Sequence, residues 1–428
     1  MHFPSVSALL LVQLTVILAV SRAMGWVARL IRQPQVIGEI VAGLVLGPSL
    51  LGWVWPGAYA ALFAEPASLQ GLNLLAQLGV LLFLFLVGLE FDADAIRPHA
   101  LSAGAISVSG MLFPFVLGFG VAFPLRHLFE PIAGHGFLPS ALFMGVAMSV
   151  TAFPVLARII SEWKLQQTIE GRLSLAAAAV GDVIAWMLLA LVVAFASQDD
   201  HGPRPLTIAG LTVAFVLVML VVVKPLLKLV QDHLHREGER TGGMAFLLLV
   251  AILSGFVTEM IGVHALFGAF VAGLVMPKHD RFVRNVSLRM ESVVVTLLLP
   301  PFFVYAGLKV DLRQLLHADM IGYTVLLTAI ACVGKIAGAG LAARLTGIGT
   351  RPSMMIGVLM NTRGLMELII LTVGLQLGVI NHVVYGMMVV MALATTAMTA
   401  PVIHLLVSRS AEVDVPEVVS TPSPREQK

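Results

Sequence analysis

Thirteen stretches of this chain are apolar enough to cross a bilayer as helices, and little lies between them. They run roughly over 6–28, 34–52, 71–90, 102–125, 137–158, 172–197, 206–230, 243–261, 264–277, 290–308, 319–343, 353–376 and 383–408, the ninth being short. A spanning helix needs about 20 mostly apolar residues. Backbone groups in lipid must be satisfied internally, which leaves only helices or closed barrels. Only 12% of the 428 residues are charged, against about 25% in soluble domains. The reading is an all-α integral membrane protein with no appended soluble domain.

The N-terminus, Met1–Ser5, has no basic region, and the first apolar stretch runs on to about Ile31. That is longer than a signal-peptide core, so the first helix is expected to be retained. A formal net charge of +2 gives no reason to expect a nucleic-acid partner. Cys332 is the single cysteine, so no intramolecular disulfide can form. No nucleophile–base motif points to an enzyme, and no motif points to a cofactor. The tail, 409–428, is polar and expected to be disordered.

Lys and Arg set the orientation. Loops after odd-numbered spans carry 17 of them and loops after even-numbered spans carry 4. The positive-inside rule then places the N-terminus outside and the C-terminus in the cytoplasm, with the cell inner (plasma) membrane as the expected location. With the charges assigned to loops set aside, and Glu90, Glu259 and Glu291 at helix ends, the charged set inside the bilayer is Glu39, Asp182, Lys335, Arg363 and Glu367. Asp182 lies within Leu173–Ala196, where the only other non-apolar residues are Ser174 and Gly181. A carboxylate at a helix centre costs about 2.5–3.5 kcal/mol to insert, so it is expected to hold something charged. Arg363 and Glu367 are four apart and share a helix face, where they can neutralise helix ends and each other. Glu39 could line an ion funnel or tie two parts of the protein together. His264 reads as an interfacial histidine. The 232–240 loop, with His233 and His235, reads as a solvated face.

The chain carries an internal repeat. Residues 41–45 read Val-Ala-Gly-Leu-Val, as do 271–275; Gly88-Leu-Glu-Phe-Asp92 matches Gly307-Leu-Lys-Val-Asp311; Gly145-Val-Ala-Met148 matches Gly357-Val-Leu-Met360. These matches pair the first six spans (about 6–197) with the last six (about 243–408), leaving the seventh (about 206–230) as a linker. Seven spans is an odd number, so the second half enters from the opposite side. Inverted repeats are a hallmark of secondary transporters.

The third match continues into helix-weakening residues in both halves. The fifth span has Thr151, Ala152, Phe153 and Pro154; the twelfth has Asn361, Thr362 and Gly364. Proline removes a backbone donor and crowds the preceding turn. Broken helices at matching positions are the strongest sequence pointer to a transport site.

These stretches resemble the monovalent cation/proton antiporter family 2, which includes the Kef potassium systems, the NapA-like sodium/proton antiporters and the plant CHX exchangers. The resemblance rests on Gln33–Ser49, Phe85–Asp92, Ser149–Arg158, Ala179–Trp186 and Asn361–Leu368. It implies an NhaA/NapA-like fold with about 13 transmembrane helices, a homodimer, and crossed broken helices five and twelve. The core would be spans 3–6 and 10–13, and spans 1, 2, 8 and 9 the scaffold. Asp182 falls on the family's ion-binding aspartate and Lys335 on its intramembrane lysine. Relatives usually carry Asn, Asp or Gln where this chain has Gly181. Lys335 is therefore left either to pair with Asp182 or to stay unpaired. The chain also stops short of the regulatory domain of Kef systems, so that form of gating is not expected.

The expected function is antiport of Na⁺ or K⁺ against H⁺ across the lipid bilayer. A buried carboxylate can hold a proton or a cation in turn, and Thr151 and the backbone near Ala152 are candidate ligands. One carboxylate implies electroneutral exchange, and two protons per ion become possible if Lys335 also titrates. The leaning is towards K⁺ or mixed selectivity. The alternative is a gated potassium channel on the same fold.

Overall fold

The computed structural model describes residues 5–31, 33–90, 100–129, 136–196, 205–229, 240–277 and 281–411. The Phe91–Asp92 end of one repeated motif, residues 232–239 with His233 and His235, and residues 412–428 lie outside them.

The first half contains α1 (Val6–Leu30), α2 (Gln35–Leu46), α3 (Leu51–Val54), α4 (Pro56–Phe63), α5 (Pro66–Glu90) and α6 (Ala100–Ala122). It continues with α7 (Phe137–Ser149), α8 (Phe153–Glu162) and α9 (Ile169–Ala196). Next comes α10 (Pro205–Val218), extended through a π-turn at Met219–Val223. The second half contains α11 (Arg240–Ile261), α12 (Ala265–Val275), α13 (Arg281–Val293), α14 (Leu299–Gly307) and α15 (Ala318–Leu345). It closes with α16 (Thr350–Met360), α17 (Leu365–Gln376) and α18 (His382–Ala411). There is no strand among the described residues.

Among the described residues, ten helical runs are long and apolar enough to cross a membrane, and α16 with α17, bent by 43°, makes an eleventh. The shorter apolar helices α7 and α12 occupy the remaining two windows. Three boundaries differ from the sequence reading. The third span starts earlier, at Pro66. The tenth begins as the amphipathic α13, whose Arg281, Arg284 and Arg289 hide it from a hydropathy window, and a π-turn at Val294–Leu298 joins it to α14. The last helix reaches Ala411, into the segment read as tail. The eight-residue α4, with Pro56 in its first turn, was too short to register.

The two repeated motifs meet where helices cross. A Cβ on Gly43 would stand 2.5 Å from the Phe303 carbonyl oxygen, and one on Gly307 would stand 2.3 Å from the Gly43 carbonyl carbon. A Cβ on Gly88 would stand 2.2 Å from the Phe270 carbonyl oxygen, and one on Gly273 would stand 2.0 Å from that of Phe85. Only a missing side chain permits such approach. Thus α2 crosses α14, and α5 crosses α12, at backbone contact. Each crossing joins a glycine of one motif to a glycine of the other motif from the opposite half of the chain.

Candidate functional site

Helix α7 ends at Ser149, and the backbone is extended at Val150 (φ −75°, ψ 144°) and at Ala152, the cap of α8. Pro154 lies in the first turn of α8, where its missing N–H costs nothing. Helix α16 ends at Met360, and α17 starts after Gly364, whose φ of +155° is disfavoured for a residue with a Cβ. A Cβ there would also stand 2.9 Å from Val155 Cγ2. The two interruptions are stitched together: the Ala152 N–H donates to the Thr362 carbonyl at 3.0 Å, and the Thr151 hydroxyl donates to the Met360 carbonyl at 2.9 Å.

A helix C-terminus leaves carbonyls unpaired and carries partial negative charge. At α7 two cations meet it. Arg363 donates from Nη1 to the Ala147 carbonyl at 3.1 Å and from Nη2 to the Met148 carbonyl at 2.6 Å. Lys335, on α15, donates from Nζ to the Ser149 carbonyl, and to the Thr151 hydroxyl at 2.7 Å. Glu367 lies in the first turn of α17, where an acid suits the helix dipole, and pairs with Arg363 Nη1 at 3.2 Å. The Arg363 backbone is held by a residue the sequence reading missed. Its N–H donates to Thr396 Oγ1 at 2.8 Å, and the Thr396 hydroxyl donates back to its carbonyl at 2.7 Å. The available signal was three threonines, Thr395, Thr396 and Thr399, in an apolar helix.

Asp182, on α9, is 2% exposed, and neither carboxylate oxygen has a hydrogen-bond partner. Lys335 is the charged side chain whose field bears on it. The direct ion pair that Gly181 left open is not made, and the lysine is not idle either, since it is bonded to Ser149 and Thr151. Thr151 and Ala152 lie at the crossing, 5% and 1% exposed. Phe153 opens α8. Asn361 donates weakly to Cys332 Sγ at 3.5 Å and leaves Oδ1 without a partner. The Thr362 hydroxyl donates to the Leu359 carbonyl at 2.9 Å.

Glu39 is buried on α2 and accepts from Gln35 Nε2 at 2.9 Å, with Arg158 and Arg22 as charged neighbours. None of the crossing residues is among its partners. His264 lines a separate cavity of about 30 Å³ with Asn73, Gln77, Tyr305, Thr372 and Gln376. Among the described residues the buried charged side chains are Glu39, Asp182, Lys335, Arg363 and Glu367, the same five that fell inside the spans.

A multi-pass bundle built around two crossed, interrupted helices with buried charges at the crossing has the architecture of an integral membrane transporter. The chain matches the family described as sodium/hydrogen exchanger, transmembrane, over residues 15–409. It is 38% identical over 397 residues to the Na(+)/H(+) antiporter NhaS4 of Synechocystis sp., covering 92% of this chain and 96% of that protein. It is 42% identical over 405 residues to Cation/H(+) antiporter 20 of Arabidopsis thaliana, covering 92% of this chain. The chain spans about half the length, 48%, of that plant relative. Its fold resembles the sodium proton antiporter MjNhaP1 from Methanocaldococcus jannaschii, with a TM-score of 0.70 at 13% identity, covering 95% of this chain and 99% of that one. The chain belongs to the sodium/hydrogen exchanger transmembrane family.

Proposed function

We propose that this protein exchanges a monovalent cation, Na⁺ or K⁺, for protons at Asp182 by alternating access. The observation that carries the reading is a fully buried carboxylate with no hydrogen-bond partner, beside two helix interruptions. A bare buried charge is costly, so Asp182 requires an occupant. The neighbouring cations are committed elsewhere: Arg363 to α7 and Glu367, Lys335 to Ser149 and Thr151. Neutralisation at Asp182 falls to a proton or to a transported cation, and one carboxylate cannot hold both.

Ligands would come from the crossing. The Thr151 hydroxyl gives its proton to Met360 and one lone pair to Lys335, which leaves one lone pair for an ion. The Ala152 carbonyl accepts from Leu156 N–H at 2.9 Å and keeps its second lone pair. With Lys335 bonded to Ser149 and Thr151 and Asp182 the exchanging carboxylate, one proton moves per cation and exchange is electroneutral. Support for cation–proton exchange comes from the names of the relatives. The paired glycine crossings support the inverted duplication. The Lys and Arg distribution supports an outside N-terminus, and a homodimer in the cell membrane follows from the family resemblance.

The test uses everted vesicles carrying a proton gradient. Added K⁺ or Na⁺ dissipates the gradient in the wild type and not in Asp182→Asn. Retained exchange in the variant would overturn the assignment, and cation flux without linked proton movement would identify a channel instead.

A further inference from the structure

Two unsatisfied groups of opposite kind stand one helical turn apart on α9. Asp182 offers two unpartnered acceptor oxygens, and Trp186 offers an unpartnered donor, its indole Nε1–H. Each residue is 2% exposed. A buried indole N–H usually finds a partner, and leaving such a group unmade costs about 1–3 kcal/mol.

Geometry brings the two within reach. Residues four apart on a helix share a face, with Cβ atoms about 5–6 Å apart. Aromatic side chains on helices lean back over the turn N-terminal to their own Cα. For Trp186 that turn is the one that bears Asp182. The two are not bonded to each other here.

We propose that the Trp186 indole N–H is the internal partner of the ionised Asp182 carboxylate when the site is empty, and that an arriving cation takes its place. The inference rests on Asp182 being the exchange site. The unloaded transporter then avoids carrying a wholly bare carboxylate in its interior. The cation meanwhile has to displace a hydrogen bond before it binds. Trp186 is thus a positioning residue that sets how much cation is needed, without contacting the ion. Lys335, the charged side chain bearing on Asp182, is bonded instead to Ser149 and Thr151.

The test removes the donor and keeps a ring. In vesicles at one fixed alkaline pH, Trp186→Phe lowers the half-saturating cation concentration roughly tenfold, about the worth of one hydrogen bond to a charged group. An unchanged or raised half-saturation in a folded variant overturns the proposal. A purely structural tryptophan would instead lower the thermal midpoint equally with and without cation. The second measurement needs no transport and no change at Trp186. The other four tryptophans, Trp26, Trp53, Trp55 and Trp163, are replaced by Phe. Trp186 emission in the purified protein then shifts on addition of K⁺ or Na⁺ as the indole N–H is released, and its indifference to both ions also overturns the proposal. Loss of exchange in Asp182→Asn combined with null results at Trp186 would reject this inference alone. Retained exchange in Asp182→Asn would reject the site itself.

Discussion

The ammonium of Lys335 is bonded to the Thr151 hydroxyl at 2.7 Å and makes no ion pair with Asp182. The lysine closes the end of one broken helix against the other. Lys335→Met therefore takes the ammonium from the Ser149 carbonyl and leaves the Thr151 hydroxyl with only its bond to Met360. The expected loss of stability is about 2–3 kcal/mol, read as a lower thermal midpoint in detergent. On the proposed one-proton-per-cation mechanism, residual exchange is as insensitive to an imposed membrane potential as that of the wild type.

Asp182→Asn separates stability from function. It removes an unpaired buried carboxylate, so the folded protein gains stability, on the order of 1–3 kcal/mol. Cation-linked dissipation of a proton gradient falls at least about 100-fold, as expected when the proposed exchange site is lost. The stabilisation given by saturating cation, about 2.7 kcal/mol at a hundred times Kd, disappears. Thermal melts with and without K⁺ and Na⁺ measure both effects.

The Arg363–Glu367 pair is buried on both sides, with side chains 0% and 1% exposed. Removing one partner of such a pair costs about 3–5 kcal/mol. Arg363→Leu is the worse single change, because it also abandons the Ala147 and Met148 carbonyls. Glu367→Gln keeps the shape and an acceptor and costs less. Melts of both single variants and of the double variant give the coupling between them.

Lys309, just beyond the membrane span that ends at Gly307, has its pKa lowered from 10.5 to about 8 by burial. Its ammonium sits 4.5 Å from the centre of the Tyr305 ring. Between pH 8 and 10.5 the unfolded chain binds more protons at this residue than the folded one, so stability rises with pH across that window. Below about pH 8 the buried charge is a fixed penalty, roughly 3 kcal/mol at most from the size of the shift. Lys309→Met raises the thermal midpoint at pH 7 and flattens its rise between pH 8 and 10.5. A variant melting curve with the wild-type pH dependence would show that another group is responsible.

The five buried charges were legible in the sequence because lipid makes each one expensive, and a costly residue in an apolar run stands out. The helix interruptions were legible to within a residue or two, because Thr151, Pro154, Asn361 and Gly364 all weaken helices. The bonding pattern was not. Lys335 and Ser149 are 186 positions apart, and the lysine's choice of Ser149 over Asp182 depends on how two helix ends cross. Thr396 escaped notice because a threonine in an apolar helix normally bonds its own preceding turn, as Thr399 does to Thr395 at 3.0 Å. Helix α13 was hidden by its arginines and α4 by its length.

The glycine crossings give the protein two places where helices meet like polished rods, with no side chain between them. Where α2 meets α14 and α5 meets α12, main chain rests on main chain, with no knobs set into holes. Even one methyl group at Gly43, Gly88, Gly273 or Gly307 would put a tooth on a smooth bearing. The two bearings are built from the same pair of motifs in exchanged roles, so a methyl group on either motif would spoil either bearing in the same way.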